Sequence, residues 1–422
     1  MKNFIREGKW AKMNRIDELI REYCPDGVEI RYLEDCCNLL DKKRKPITKA
    51  SREAGEYPYY GANGIQDYVA NYIFDGTYVL VGEDGSVITK EGTPVVTWAK
   101  GKIWVNNHAH IIEEKEGVML RYLYHYLQTI DVTSLIHGNI PKLTGGDFKA
   151  LKIAVPPLEV QREIVHILDS FTLLTAELTA ELTARKKQYN FYRDKMLNFG
   201  NKATVYKMSE LCESIADGDH MPPPKSDEGI PFITISNVNE FHNIDFKNTM
   251  YVPEPYYNSL AEKRRPRKGD ILYTVVGSYG IPVCIEDDKK FVFQRHIAIL
   301  RPNNDIVKSR YMFHAMQSTD FKIQADKSAK GAAQKTIALS ALGKMQMPVP
   351  SMDVQEKIIK VLDNFESICT DLNIGLPAEI EARQKQYEYY RDLLLTFAET
   401  GSMLMTDRQT DRQTDRQTDR QS

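Results

Sequence analysis

The chain is short of cysteine and tryptophan, with 6 and 3 in 422 residues. Cys24, Cys36, Cys37, Cys212, Cys284 and Cys369 form no CxxC pair. A disulfide framework is therefore not expected, and the usage points to a reducing cytoplasm. Long apolar runs are missing too. None approaches the roughly 18–20 residues of a membrane span, and the opening MKNFIREGKWAKMNRIDELI lacks the apolar core of a secretory signal. Neither sign of charge dominates: 56 Lys and Arg stand against 58 Asp and Glu, a net charge of -2. That argues against a wholly basic nucleic-acid coat but leaves room for local basic patches. There is no GxxxxGK[ST] phosphate loop and no Asn/Asp-Pro-Pro-aromatic segment. Neither ATP hydrolysis nor amino-group methylation is expected of this chain itself.

What is present is a globular composition, 42% hydrophobic and 27% charged, long enough for two or three cores. Above all there is a repeat. Residues 156–171, PPLEVQREIVHILDSF, match 350–365, PSMDVQEKIIKVLDNF, at 7 of 16 positions. Residues 184–199, ARKKQYNFYRDKMLNF, match 382–397, ARQKQYEYYRDLLLTF, at 10 of 16. Both stretches are helical in pattern. Ile164, Leu168, Phe171, Leu174, Leu178 and Leu182 recur every three or four residues, continued by Tyr189, Tyr192, Met196 and Phe199. The second copy has Ile358, Leu362, Phe365, Ile368 and Leu372, then Tyr387, Tyr390, Leu394 and Phe397. Such a one-sided stripe packs against another helix, and the simplest partner for each stripe is the other. Gly375 and Pro377 predict a break in the second copy, since a helix-interior proline costs about 3 kcal/mol.

The segments ahead of the helices read as strands: YVANYIF (68–74), TYVLVG (77–82), PVVTWA (94–99) and KIWVNNHAHIIE (102–113) in one, PFITISNV (231–238), DILYTVVG (270–277), IPVCIE (281–286) and FVFQRHIAILRP (291–302) in the other. They correspond loosely, with 57–60 against 230–233, 75–86 against 269–280 and 104–110 against 291–297. The fold expected is α+β: two strand-rich domains separated by a central antiparallel pair of long helices, pseudo-two-fold symmetric. The organisation is an N-terminal extension and helix (1–24), a first domain (25–155), a first repeated helix (156–200), a second domain (201–349), a second repeated helical region (350–398) and a low-complexity tail (399–422). Met13 opens the better amphipathic stretch, so 1–12 carry little structural weight. The tail repeats TDRQ four times and has no means of building a core. ACAGACAGACAG encodes this period, which suggests a tract of variable length; an invariant tract in independent clones would remove that idea. A shorter tandem repeat, TAEL at 175–178 and 179–182, lies in the first helix. One unit is about 6 Å of helix, or roughly 2 bp of DNA.

These residues resemble the specificity subunit of type I restriction–modification enzymes. The resemblance covers 13–398 and rests on RIDELIREYCPDGVE (15–29), YPYYGANGIQDYV (57–69), the PPLEVQREIV stretch, the TAEL repeat, GAAQKTIALSALGKMQMPVPS (331–351) and GLPAEIEARQKQYEYYRDLLLTF (375–397). It implies that each globular segment is a target recognition domain reading one half of a bipartite double-stranded DNA sequence. The helices would set the spacer and dock two methyltransferase subunits, and motor-nuclease subunits would complete the restriction enzyme. It places S-adenosylmethionine, ATP and Mg on those partners and none in this chain. The TDRQ tail is outside the family's usual pattern.

Base reading needs polar side chains in loops, with Lys and Arg on phosphates to fix register. The candidates in the first domain are Lys42, Lys43, Arg44, Lys45, Tyr60, Asn63, Lys100, Lys102, His137, Asn139 and Lys142. In the second they are Ser278, Tyr279, Gln294, Arg295, His296, Lys327, Lys330, Gln334 and Lys335. Small residues in SAKGAAQK (328–335) permit close backbone approach. The GEDGS segment (82–86) reads as a turn that could face DNA. No catalytic residue and no metal ligand is assigned: His108 and His110 alternate on a strand without further ligands nearby, and Glu113-Glu114-Lys115 reads as a solvated strand end. Two rivals are a fused methyltransferase or nuclease, which should carry a cofactor loop or metal carboxylates, and a coiled-coil scaffold binding proteins only, which should lack salt-dependent, sequence-specific DNA binding.

Overall fold

A computed structural model describes residues 18–400, apart from Ile20, Asp26, 219–222, Glu240, Ala333, 372–373 and the side chains of Asn201 and 397–400. The expected N-terminal extension, Leu372, Ala333 and the TDRQ tail lie outside the described residues. The chain divides into two compact units, one of residues 1–176 and 382–422, the other of 177–381. Among the described residues no helix is long and apolar enough to cross a membrane.

In the first unit the β-branched and aromatic segments form a six-stranded sheet from β1 (Asn38–Leu39), β2 (Ala54–Gly61), β3 (Gly64–Val69), β4 (Phe74–Gly82), β5 (Val96–Val105) and β6 (Ala109–Glu113), in the order β1-β6-β4-β5-β2-β3. Val79, Val81 and Ile112 point into one apolar cluster, Tyr78, Leu80 and Ile111 into another. That alternation is the period of two of a strand buried on both faces. In the second unit β7 (Cys212–Asp217), β8 (Ile230–Ile233), β9 (Met250–Val252), β10 (Ile271–Thr274), β11 (Pro282–Cys284), β12 (Val292–Phe293) and β13 (Ile297–Pro302) form two sheets, β7-β13-β10-β11 and β9-β8-β12. Arg301 on β13 is buried and held by Asp270 at 2.9 and 3.0 Å, which matches its charge where water cannot.

Each domain is closed by a ladder between its first and last strands. Glu29–Tyr32 pairs antiparallel with Lys152–Val155, and Thr204–Lys207 pairs with Gln346–Val349.

The helices that follow are α1 (Leu120–Leu127), α2 (Leu158–Leu197), α3 (Ser309–Met316), α4 (Met352–Thr370) and α5 (Leu376–Thr400). The expected break in the second repeat is the gap between α4 and α5. The repeated Val-Gln has a job in both copies. Gln161 is buried; its amide oxygen accepts from Met119 N (2.9 Å), and its amide donates to the carbonyls of Gly117 (3.1 Å) and Pro156 (2.7 Å). Gln355 does the same with Lys308 N (2.9 Å) and the carbonyls of Ile306 and Pro350 (both 3.0 Å). Each glutamine satisfies backbone groups that burial would otherwise leave unpaired.

The repeated aromatics pair across the repeat but inside each unit. Phe171 stacks on Tyr390 at 5.2 Å in the first, and Tyr192 stacks on Phe365 at 5.6 Å in the second. A histidine sits beside each pair. A carboxylate can only accept, so His125 donates Nε2–H to Asp169 (2.9 Å) and accepts at Nδ1 from the Tyr387 hydroxyl (2.9 Å). His314 does likewise with Asp363 (2.7 Å) and Tyr189 (2.9 Å). Arg121 and Arg310 bind the same aspartates, each at 2.7 Å. Burial alone would raise these carboxyls, but the hydrogen bonds from histidine and arginine outweigh it and hold both below the usual range.

Candidate nucleic-acid interface

In the first unit three loops converge. The Gly82–Ser86 loop leaves β4, residues 106–108 join β5 to β6, and a short hairpin pairs Ile136–His137 with Lys142–Leu143. Glu83 N donates to His108 O (2.8 Å), Leu143 N to Glu83 O (2.8 Å) and Gly85 N to Pro141 O (2.9 Å). Asp84 and Lys142 form a bridge. Gly85 (φ 83°) and Gly138 (φ 83°) occupy the left-handed region that favours glycine.

The second unit builds the same platform. Val275 N donates to His296 O (2.9 Å), Ile337 N to Val275 O (2.8 Å) and Gly277 N to Lys335 O (3.0 Å). Val276 and Thr336 form the bridge, and Gly277 (φ 72°) and Gly331 (φ 123°) take the left-handed positions. Position for position, Glu83 corresponds to Val275, Asp84 to Val276, Gly85 to Gly277, Ser86 to Ser278 and His108 to His296. The strand behind agrees: Tyr60 O accepts from Asn106 N (3.1 Å) as Ile233 O accepts from Gln294 N (2.8 Å).

The platform gathers most of the candidates of the second domain. Ser278 and Tyr279 stand on its first loop, Gln294, Arg295 and His296 on its second, and Lys330, Gln334 and Lys335 on its hairpin. Tyr279 donates its hydroxyl to Asp326 (2.9 Å). Lys327 is exposed in the last turn of the helix Thr319–Ser328.

In the first domain Asn63 and Lys142 line a cleft of ≈ 520 Å3 with Gln66, Asp84, Ser86, His108 and Ile140. His137 and Asn139 lie on the hairpin, with His137 3.3 Å from Asp147. Lys42, Lys43 and Lys45 are exposed. Lys100 and Lys102 pair with Thr77 and Asp75 at the opposite end of β4, where Lys102 lies 4.8 Å from the Tyr72 ring. Two candidates are held in the fold. Tyr60 is buried in the apolar cluster, and Arg44 turns inward to Glu83, Asp41 (3.5 Å) and the Ala109 carbonyl (2.8 Å). The two carboxylates that hold Arg44, Asp41 and Glu83, lie with the buried His110 in one cluster whose polar atoms are within 4.8 Å of one another. His110 Nδ1 lies 2.7 Å from Asp41. Burial would raise the Asp41 carboxyl, but His110, Ile111 N and Arg44 hold it below the usual range. Arg44 and Lys142, the latter 3.3 Å from Glu83, bring positive charge to these carboxylates.

Sequence reasoning missed Gln66 and the Asn106–His108 turn. The signal was present, because 104–110 align with 291–297, whose Gln294, Arg295 and His296 were singled out.

The description "Type I restriction modification DNA specificity domain" matches residues 25–185 and 201–382. The chain belongs to the type I restriction–modification specificity subunits. A putative type I specificity subunit of Haemophilus influenzae is 34% identical over 386 residues, covering 88% of this chain and 96% of that protein. The EcoR124I/EcoR124II specificity subunit of Escherichia coli is 32% identical over 302 residues, covering 66% and 71%. In fold the chain is similar to the crystal structure of an S subunit from M. genitalium, with a TM-score of 0.52 at 16% identity, covering 90% and 96%. The α+β, two-domain organisation with long helices is that of specificity subunits.

Proposed function

We propose that each platform reads one half of a bipartite DNA target and that the helices set the gap between the halves. The observation that carries this is the pair of platforms: one backbone hydrogen-bond scheme, two different sets of side chains. A conserved scaffold with divergent polar tips is what two readers of different sequences require. Lys42, Lys43, Lys45 and Lys327 are placed on phosphates, whose contacts position but do not discriminate.

Two methyltransferase subunits dock on the helices in this reading, and motor-nuclease subunits join them. S-adenosylmethionine, ATP and Mg belong to those partners, and adenine methylation, translocation and cleavage with them. The assembly works on chromosomal and invading DNA, hence in the cytoplasm.

The test is to co-express the full chain with its neighbouring methyltransferase gene and map methylated adenines by long-read sequencing. One gapped motif is expected; no motif, or a short continuous one, overturns the reading. The rival scaffold predicts no salt-dependent DNA binding, which a salt titration of DNA affinity separates.

A further inference from the structure

We propose that Asp84 determines one base of the half-site read by the first unit, by accepting a hydrogen bond from an exocyclic amino group. The inference rests on the half-site reading above.

Asp84 lines the cleft beside Asn63, Gln66 and Ser86, with its side chain 24% exposed. The fold does not ask for a carboxylate there. What the fold uses is the backbone, which bridges to Lys142. In the second unit Val276 makes the same bridge, to Thr336, so an apolar side chain serves the scaffold equally well. Among the described residues the Asp84 side chain has one partner, His108 Nδ1, through Oδ1, and Oδ2 is the second acceptor.

His108 takes one oxygen of the Asp84 carboxylate; on a DNA-facing loop the other repels phosphates and suits a donor on a base edge. In the major groove the donors are cytosine N4 and adenine N6, whereas guanine and thymine present acceptors at the equivalent places. Cytosine and adenine share that chemistry, and the motif itself tells them apart. The second platform is the reverse. Its exposed tips are Arg295, Lys330, Gln334 and Lys335, chiefly donors, and these suit guanine O6 and N7.

The experiment maps adenine methylation by the full chain with its methyltransferase partner, for wild type, Asp84→Ala, Asp84→Asn and Gln334→Ala. In the wild-type motif, both half-sites hold specified positions on either side of the gap. Asp84→Ala relaxes one position of one half-site, with roughly tenfold or more loss of discrimination, and leaves the other half-site and the gap unchanged; Asp84→Asn, which keeps one acceptor oxygen and gains a donor, shifts that position towards an A·T pair. Gln334→Ala alters the other half-site and so assigns each half to its unit. Thermal unfolding of Asp84→Asn matches wild type.

A wild-type gapped motif left intact by both Asp84 variants overturns this inference alone. So does relaxation of several positions at once or of the half-site that Gln334→Ala alters, or loss of methylation at every site by a complex that still assembles. Absence of any gapped motif in wild type overturns the half-site reading and this inference with it.

Discussion

His125 and Tyr387 are 262 residues apart in the chain and 2.9 Å apart in the first unit. The bond joins α1, ahead of the first repeat, to α5, in the second. The second unit makes the mirror choice and joins α3 to the first repeat through His314 and Tyr189. Each unit is thus completed by a helix that lies in the other repeat along the chain. Tyr387→Phe removes one buried hydrogen bond and leaves the ring. We expect a loss of about 1–2 kcal/mol, read by chemical denaturation, with faster hydrogen exchange in 382–396 than in 352–370. Tyr189→Phe should instead speed exchange in 184–197 and leave 382–396 protected.

Acid should loosen the same clasp. Burial pushes the His125 imidazole below its ordinary value, so the folded state favours the neutral ring. Its contribution is complete above the ordinary pKa of about 6.5 and falls as pH drops through that value towards the lower folded one. Asp169 acts at lower pH in the same direction: its depressed pKa contributes stability above the ordinary carboxyl value that is lost as pH falls through the folded one. Exchange protection of 382–396 should therefore decline between about pH 7 and pH 5. Unchanged protection across that window would show that His125 does not hold α5.

The two buried glutamines should be costly to remove. Gln355→Ala strands Lys308 N and the carbonyls of Ile306 and Pro350, and Gln161→Ala strands their counterparts. Each should cost about 2–3 kcal/mol, measured as a shift in denaturation midpoint without a change in slope. A loss below about 0.5 kcal/mol would mean that water replaces the amide.

Deletion of 179–182 removes one TAEL unit from α2, which is continuous over Leu158–Leu197. The helix shortens by about 6 Å, so the gap of the methylated motif should shorten by roughly 2 bp with both half-sites unchanged. Altered half-sites with an unchanged gap would place the ruler elsewhere.

Much of this was legible because it is local. Apolar residues at helical spacing announced α2, α4 and α5, and Gly375 with Pro377 announced the break between α4 and α5. Runs of β-formers announced β4 through β6, although 102–113 reads as one strand and the structure divides it into β5 and β6 at residues 106–108. Pro58 and Pro231 were aligned in the register the hydrogen bonds show. Two other alignments slipped, by two residues at Gly85 and Gly277 and by one at His108 and His296. Loops of different length separate these strands, and only the backbone bonds of the finished sheet settle the offset. Arg121-Tyr122 with His125, and Arg310-Tyr311 with His314, were a readable second repeat that went unused, since a buried histidine looks like any other until its partners are in place.

The sequence by itself determined that this is a repeated, helix-linked protein of the specificity-subunit family, because periodicity and repetition are written along the chain. Only the tertiary structure decided which residues share a platform, that Arg44 is ion-paired to Asp41 and Glu83 and Tyr60 buried in an apolar cluster, and that each helix end closes the unit of the other repeat. Those outcomes depend on contacts between residues tens to hundreds of positions apart. Burial and hydrogen bonding choose such contacts for the whole chain at once, and no local pattern specifies them.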